Sequence, residues 1–230
     1  MKTLGIVGGI GPESTIDYYR SLIQMWREKT QDESAPSILI NSIDLKKMLD
    51  LIAANALSEV AAYLSGEMQR LARAGADVGL FAANTPHIVF DELKRQSPIP
   101  LISIVEATRD VAEQLGLHRL GLFGVRFTMQ GRFYADVFSK AGVTLIAPEE
   151  NEQAYINEIY VNELLKGVFL PETRERLLAI VDRLADQGHA QGLILAGSEL
   201  PLILREATHS IPFLDTTQIH AKAALRQLLS

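Results

Sequence analysis

Short apolar runs alternate with longer amphipathic stretches from one end of the chain to the other. Residues 4–7, 37–43, 78–83 and 99–104 read as strands, the first three closed by glycine or polar residues and the last following the Pro98/Pro100 pair. Residues 12–29, 57–74 and 105–115 read as helices, the first carrying Ile16, Tyr19, Ile23 and Trp26 at helical spacing. Strands separated by helices predict an α/β fold built on parallel sheets. The run 78–83 is apolar throughout, as suits a parallel strand covered on both faces. It ends abruptly in Asn84-Thr85-Pro86-His87, a polar tip at the carboxyl end of a strand, where open α/β sheets place their ligands.

The same order recurs in the second half. Leu4-Gly5-Ile6-Val7-Gly8 matches Leu120-Gly121-Leu122-Phe123-Gly124, and Arg70-Leu71-Ala72 matches Arg183-Leu184-Ala185. Thr85 falls on Ser198, so the tip recurs as Gly197-Ser198-Glu199, and Ile99-Pro100-Leu101 falls on Ile211-Pro212-Phe213. Repeated segments in one order indicate a duplicated unit. Two similar lobes are expected, packed tightly with a ligand cleft between them, since no Pro/Ser-rich linker marks the join.

Composition narrows the partners. The 230 residues are 47% hydrophobic and 22% charged with a net charge of −6, which suits a buried core and a small-molecule ligand. No basic stripe for nucleic acid is present; Lys46-Lys47 is the one lysine pair. No apolar run approaches the ~20 residues that span a bilayer, and the first residues read as a strand entering a glycine turn, so no membrane contact and a cytoplasmic location are expected. Cysteine is absent, which removes disulfides, thiolate metal sites and thiol nucleophiles together. The five histidines show no metal-binding spacing, so no metal is expected.

Three groups carry the candidate chemistry. The turn Gly8-Gly9-Ile10-Gly11-Pro12 precedes a helix, and Asp44 closes the second strand, as in a dinucleotide site. Ser14 at the third glycine position and Pro12 among the amides argue against phosphate, leaving either a carboxylate received by Gly9, Ile10 and Gly11 or a turn with no ligand. Asn84, Thr85 and Ser198 either hydrogen-bond a carboxylate or ammonium group or cap the helices that follow.

These motifs, with Arg126-Phe127-Thr128-Met129, Gly197-Ser198-Glu199-Leu200-Pro201-Leu202, Asp215 and His220, resemble the aspartate/glutamate racemase family from end to end. The resemblance implies two pseudo-symmetric flavodoxin-like lobes, residues 1–98 with 208–230 and residues 99–207, an active site between them, no pyridoxal cofactor and a homodimer. It adds Thr128 to the carboxylate pocket and makes Lys46, Lys47 and Lys166 candidates for a second carboxylate. It also implies a pair of cysteines, one taking the α-proton while the other supplies a proton to the opposite face. Their positions hold Ala83 and Gly197, neither of which can carry a proton. Three readings follow: a racemase by fold with little or no activity, a binding protein for a small amino acid or dicarboxylate, or a one-base enzyme (a decarboxylase or lyase) using His87, Glu199 or Asp44.

Overall fold

Successive side chains of a strand point to opposite faces of its sheet, and in this protein both faces are covered. In the computed structural model, which describes residues 1–205 and 208–230, Leu4 and Ile6 enter one core with Tyr18, Leu22 and Trp26. Val7, next along the strand and facing the opposite way, enters another with Met48, Leu64 and Met68. The first sheet contains β1 (Thr3–Gly8), β2 (Ser37–Ser42) and β3 (Val78–Phe81), all parallel in the order β2-β1-β3. The second contains β4 (Arg119–Phe123), β5 (Thr144–Ile146), β6 (Gly192–Leu195) and β7 (Phe213–Asp215), parallel in the order β5-β4-β6-β7. The first sheet gains its counterpart of β7 as a single bridge, Leu101 beside Gly79. The duplicated segments of the sequence therefore occupy equivalent places in two sheets of one topology.

The chain divides into two units, residues 1–104 with 220–230, and residues 105–219. The expected lobes have the same discontinuous arrangement, but their boundaries move. Residues 99–104 belong to the first unit and 208–219 to the second, because each apolar run pairs with the strand that precedes it in the chain. Residue 207, the expected end of the second lobe, lies outside the described residues.

Two helices differ from expectation. The helix Pro12–Thr30 starts on its proline as expected, yet it buries Ser14, Tyr18, Ser21, Leu22 and Trp26. Ile16 and Tyr19 are exposed, so of the stripe at helical spacing Trp26 alone is fully inside. The chosen stripe places three large side chains one turn apart, and burial of each is worth ~1.5–3 kcal/mol. A further helix, Leu45–Ala53, stands where no element was expected, started by Asp44. Among the described residues, no helix is long and apolar enough to cross a membrane.

Candidate functional site

Each unit brings one polar tip against one glycine turn. In the first, β1 and β3 run side by side with Val7 opposite Phe81, and the amide of Ala82 donates to the carbonyl of Val7 at 2.9 Å. The turn after β1 thus lies beside Ala83, Asn84 and Thr85. Ser14 ties them further, its hydroxyl reaching the carbonyls of Gly11 at 2.7 Å and Ala82 at 3.4 Å. Gly9 has a left-handed φ of 77°, and a Cβ there would sit 2.6 Å from the Ile43 carbonyl, so glycine is required. Its amide donates to Thr15 Oγ1 at 2.9 Å and is already engaged within the turn. Gly9, Ile10 and Gly11 are all buried, and Asn84 is buried at the start of the short 3-10 helix Thr85–Val89. The Asn84 side chain does not cap that helix.

The second unit repeats the construction. The amide of Ala196 donates to the Phe123 carbonyl at 2.7 Å, placing Gly197, Ser198 and Glu199 beyond the ends of β4 and β6. Thr128, in the short helix Arg126–Gln130, packs its methyl over Gly124 next to the Ala196 carbonyl. It is fully buried, and its Oγ1 has no hydrogen-bond partner. Ser198 donates to Glu199 Oε2 at 3.1 Å, and neither side chain caps the helix Leu200–Leu204.

Ala83 is buried and carries only a methyl group, while Gly197 has a neighbour that no sequence motif announces. A Cβ built on Gly197 would lie 2.5 Å from Tyr160 Cε2, 2.9 Å from its hydroxyl oxygen and 3.0 Å from Cζ. Tyr160, on the helix Glu150–Asn162, donates a short hydrogen bond to Glu199 Oε2. Burial first, then the negative charge of Glu199, pushes its phenol well above the ordinary tyrosine range. Apolar residues of the same helix, Ile156 and Ile159, disguise Tyr160 as one more core residue.

The candidate bases other than Glu199 are tied into structure. His87 stacks on Phe90 at 4.5 Å, and its Nε2 accepts the amide hydrogen of Ile104 at 3.1 Å. Burial and the neighbouring His220 ring lower its pKa to about 3, so it is neutral near pH 7 with that lone pair occupied. Burial likewise lowers His220 to about 4. Its Nε2 donates to the Ile102 carbonyl at 2.9 Å, leaving Nδ1 to accept from the Tyr18 hydroxyl at 2.8 Å. Asp44 accepts the amides of Lys46 at 2.9 Å and Lys47 at 3.4 Å, which makes it a helix N-cap.

The three lysines are on the surface. Lys46 pairs with exposed Asp50 at 2.5 Å, and Lys47 lies over the Tyr63 ring at 4.3 Å. Lys166 is exposed at the end of the 3-10 helix Leu164–Lys166, in the second unit. Among the described residues, no group of three or more His, Cys, Asp or Glu side chains is placed to hold a metal ion.

Known proteins share this fold. The chain is similar over its whole length to a Yersinia pestis protein assigned to the Asp/Glu racemases, with 33% identity, a TM-score of 0.91 and 100% of both chains covered. It is similar to PH1733, an aspartate racemase homologue from Pyrococcus horikoshii OT3, with 30% identity, a TM-score of 0.87 and 100% of both chains covered. The broad specificity amino-acid racemase RacX of Bacillus subtilis (strain 168) is 23% identical over 99% of this chain and 98% of its own. The Asp/Glu/Hydantoin racemase family model matches residues 7–224, a span that takes in both glycine turns and both polar tips, and the chain belongs to that family.

Proposed function

We propose that this protein holds a small α-amino acid or dicarboxylate at the polar ends of its central strands, without inverting it by paired thiols. One observation carries the reading. Both positions two residues beyond a central strand, at Ala83 and Gly197, lack an ionisable atom, while the hydrogen-bonding groups around them are kept. Asn84 and Thr85 in one unit, and Ser198 and Thr128 in the other, offer an amide and three hydroxyls. Thr128 Oγ1 is buried without a partner, and a ligand oxygen or nitrogen at that atom offsets a cost of ~1–3 kcal/mol. The names of the similar proteins, with aspartate, glutamate or amino acids in general as substrates, support an amino acid over other small acids. In this reading the protein needs neither metal nor pyridoxal cofactor and works as a homodimer.

The test is thermal unfolding with L-aspartate, L-glutamate and neutral amino acids in turn. A ligand that binds only the folded protein adds ~2.7 kcal/mol of stability at a hundred times its Kd. At least one of these compounds raises Tm in a saturable way. No shift with any of them overturns the reading.

A further inference from the structure

At the second tip a phenol stands where the family's thiol would be. A Cβ on residue 197 would already lie 2.5 Å from Cε2, 2.9 Å from the hydroxyl oxygen and 3.0 Å from Cζ of Tyr160, so any side chain there displaces that ring. Glycine is the residue that leaves the ring its room. The hydroxyl is held by Glu199 Oε2, which Ser198 Oγ also approaches at 3.1 Å.

A tyrosine serving only to fill space is satisfied by any neutral acceptor. Here the acceptor is a carboxylate 1% exposed, and taking a carboxylate out of water costs several kcal/mol before its hydrogen bonds are counted. Buried carboxylates coupled to a second titratable group are characteristic of sites that move protons.

We propose that Tyr160 is the proton-carrying residue of the second tip and that Glu199 is the group that empties and refills it. This rests on the reading that an amino acid is held at these strand ends. The proton resides on the phenol at rest, because burial and the adjacent carboxylate both disfavour phenolate. In the forward step the phenol O–H bond breaks, and its proton passes to Glu199 Oε2. The phenolate oxygen then forms a new O–H bond to the substrate's α-hydrogen. The electron pair of the broken C–H bond spreads into the substrate's own carboxylate. Before the return, the protons held on Tyr160 and Glu199 exchange with water. The reverse step then delivers a solvent-derived hydrogen to the α-carbon and restores the remaining bonds, and no oxidant or cofactor is consumed. Tyr160 and Glu199 lie together at the one tip, so the hydrogen returns to the face it left. The activity is exchange of the α-hydrogen with retention of configuration.

The experiment pairs two readouts on the full chain. L-aspartate and L-glutamate are incubated in D2O with the wild-type protein, Tyr160→Phe and Glu199→Gln, and loss of the α-proton signal is followed by NMR. The Tm shift by the same amino acid is recorded for each protein. Wild type exchanges with retention, and each variant is slower by about 100-fold or more, the usual contribution of a general acid–base group. Tyr160→Phe keeps the ligand-induced Tm shift, since its ring still packs against Gly197. That split between exchange and binding is one a purely structural tyrosine does not produce. Should Glu199→Gln not fold, Tyr160→Phe decides alone. A wild-type protein that is stabilised by the ligand but exchanges nothing overturns this proposal alone, as does Tyr160→Phe exchanging at the wild-type rate. The absence of any Tm shift by either amino acid, with no exchange, overturns the binding reading and this proposal with it.

Discussion

Gly197 and Tyr160 behave as one structural feature, since the space of one side chain is the absence of another. Gly197→Cys forces the phenol to move or the backbone to yield, and overpacking of this kind costs ~1–3 kcal/mol. The same cysteine placed beside Tyr160→Leu meets a smaller, more flexible neighbour. A double-mutant cycle by urea unfolding therefore shows a coupling energy that favours the pair over the sum of its singles. Additive singles contradict the geometry.

The buried imidazoles set a second residue-level expectation. His87 and His220 have pKa values of about 3 and about 4 in the folded protein, below the ~6.5 of an unfolded chain. Groups with a depressed folded pKa bind more protons when unfolded, so their contribution is complete above pH ~6.5 and drains as pH falls towards 4 and then 3. The urea midpoint accordingly drops between pH 7 and 5. His220→Gln, which keeps a donor for Ile102 and an acceptor for Tyr18 without titrating, gives a flatter profile. An equal slope in that variant contradicts the assignment.

At the scale of elements, Asp44 separates two meanings of one residue. As the last polar residue after β2 it resembles a ribose-binding acid or a base, whereas its carboxylate is spent on the amides of Lys46 and Lys47. Asp44→Ala destabilises the protein by about 1 kcal/mol, as loss of an N-cap does, and leaves the ligand-induced Tm shift unchanged. Loss of that shift assigns Asp44 to the ligand instead. The long helices and central strands were legible because their apolar periods are strong, and both polar tips were legible because they interrupt all-apolar strands. The helix Leu45–Ala53 was missed because nine residues after a strand offer two turns of pattern, too few to separate from a loop. In the first helix two apolar stripes compete. Only packing against β1 and β3 residues, and the hydroxyl of Tyr18 finding His220, selects Tyr18, Leu22 and Trp26.

For the whole molecule, the duplication told more than any single motif. It paired β1 with β4, β3 with β6 and Leu101 with β7 before any contact was known. It did not say which sheet each final apolar run joins. Residues 99–102 and 211–214 have the same Ile-Pro start and the same character, and pairing partners are not written in local pattern. Tyr160 was invisible for a similar reason, lying 39 positions from the carboxylate it serves, in an ordinary apolar helix face. Family membership supplies the racemase-like frame.

Chiral analysis of L-aspartate and L-glutamate after incubation with the wild-type protein in D2O tests the central claim most directly. Deuterium accumulating at the α-carbon of the L-enantiomer, with no D-enantiomer beyond the enzyme-free control, is the expected result. Rapid appearance of the D-enantiomer contradicts it, because inversion at that pace requires a second proton carrier besides Tyr160.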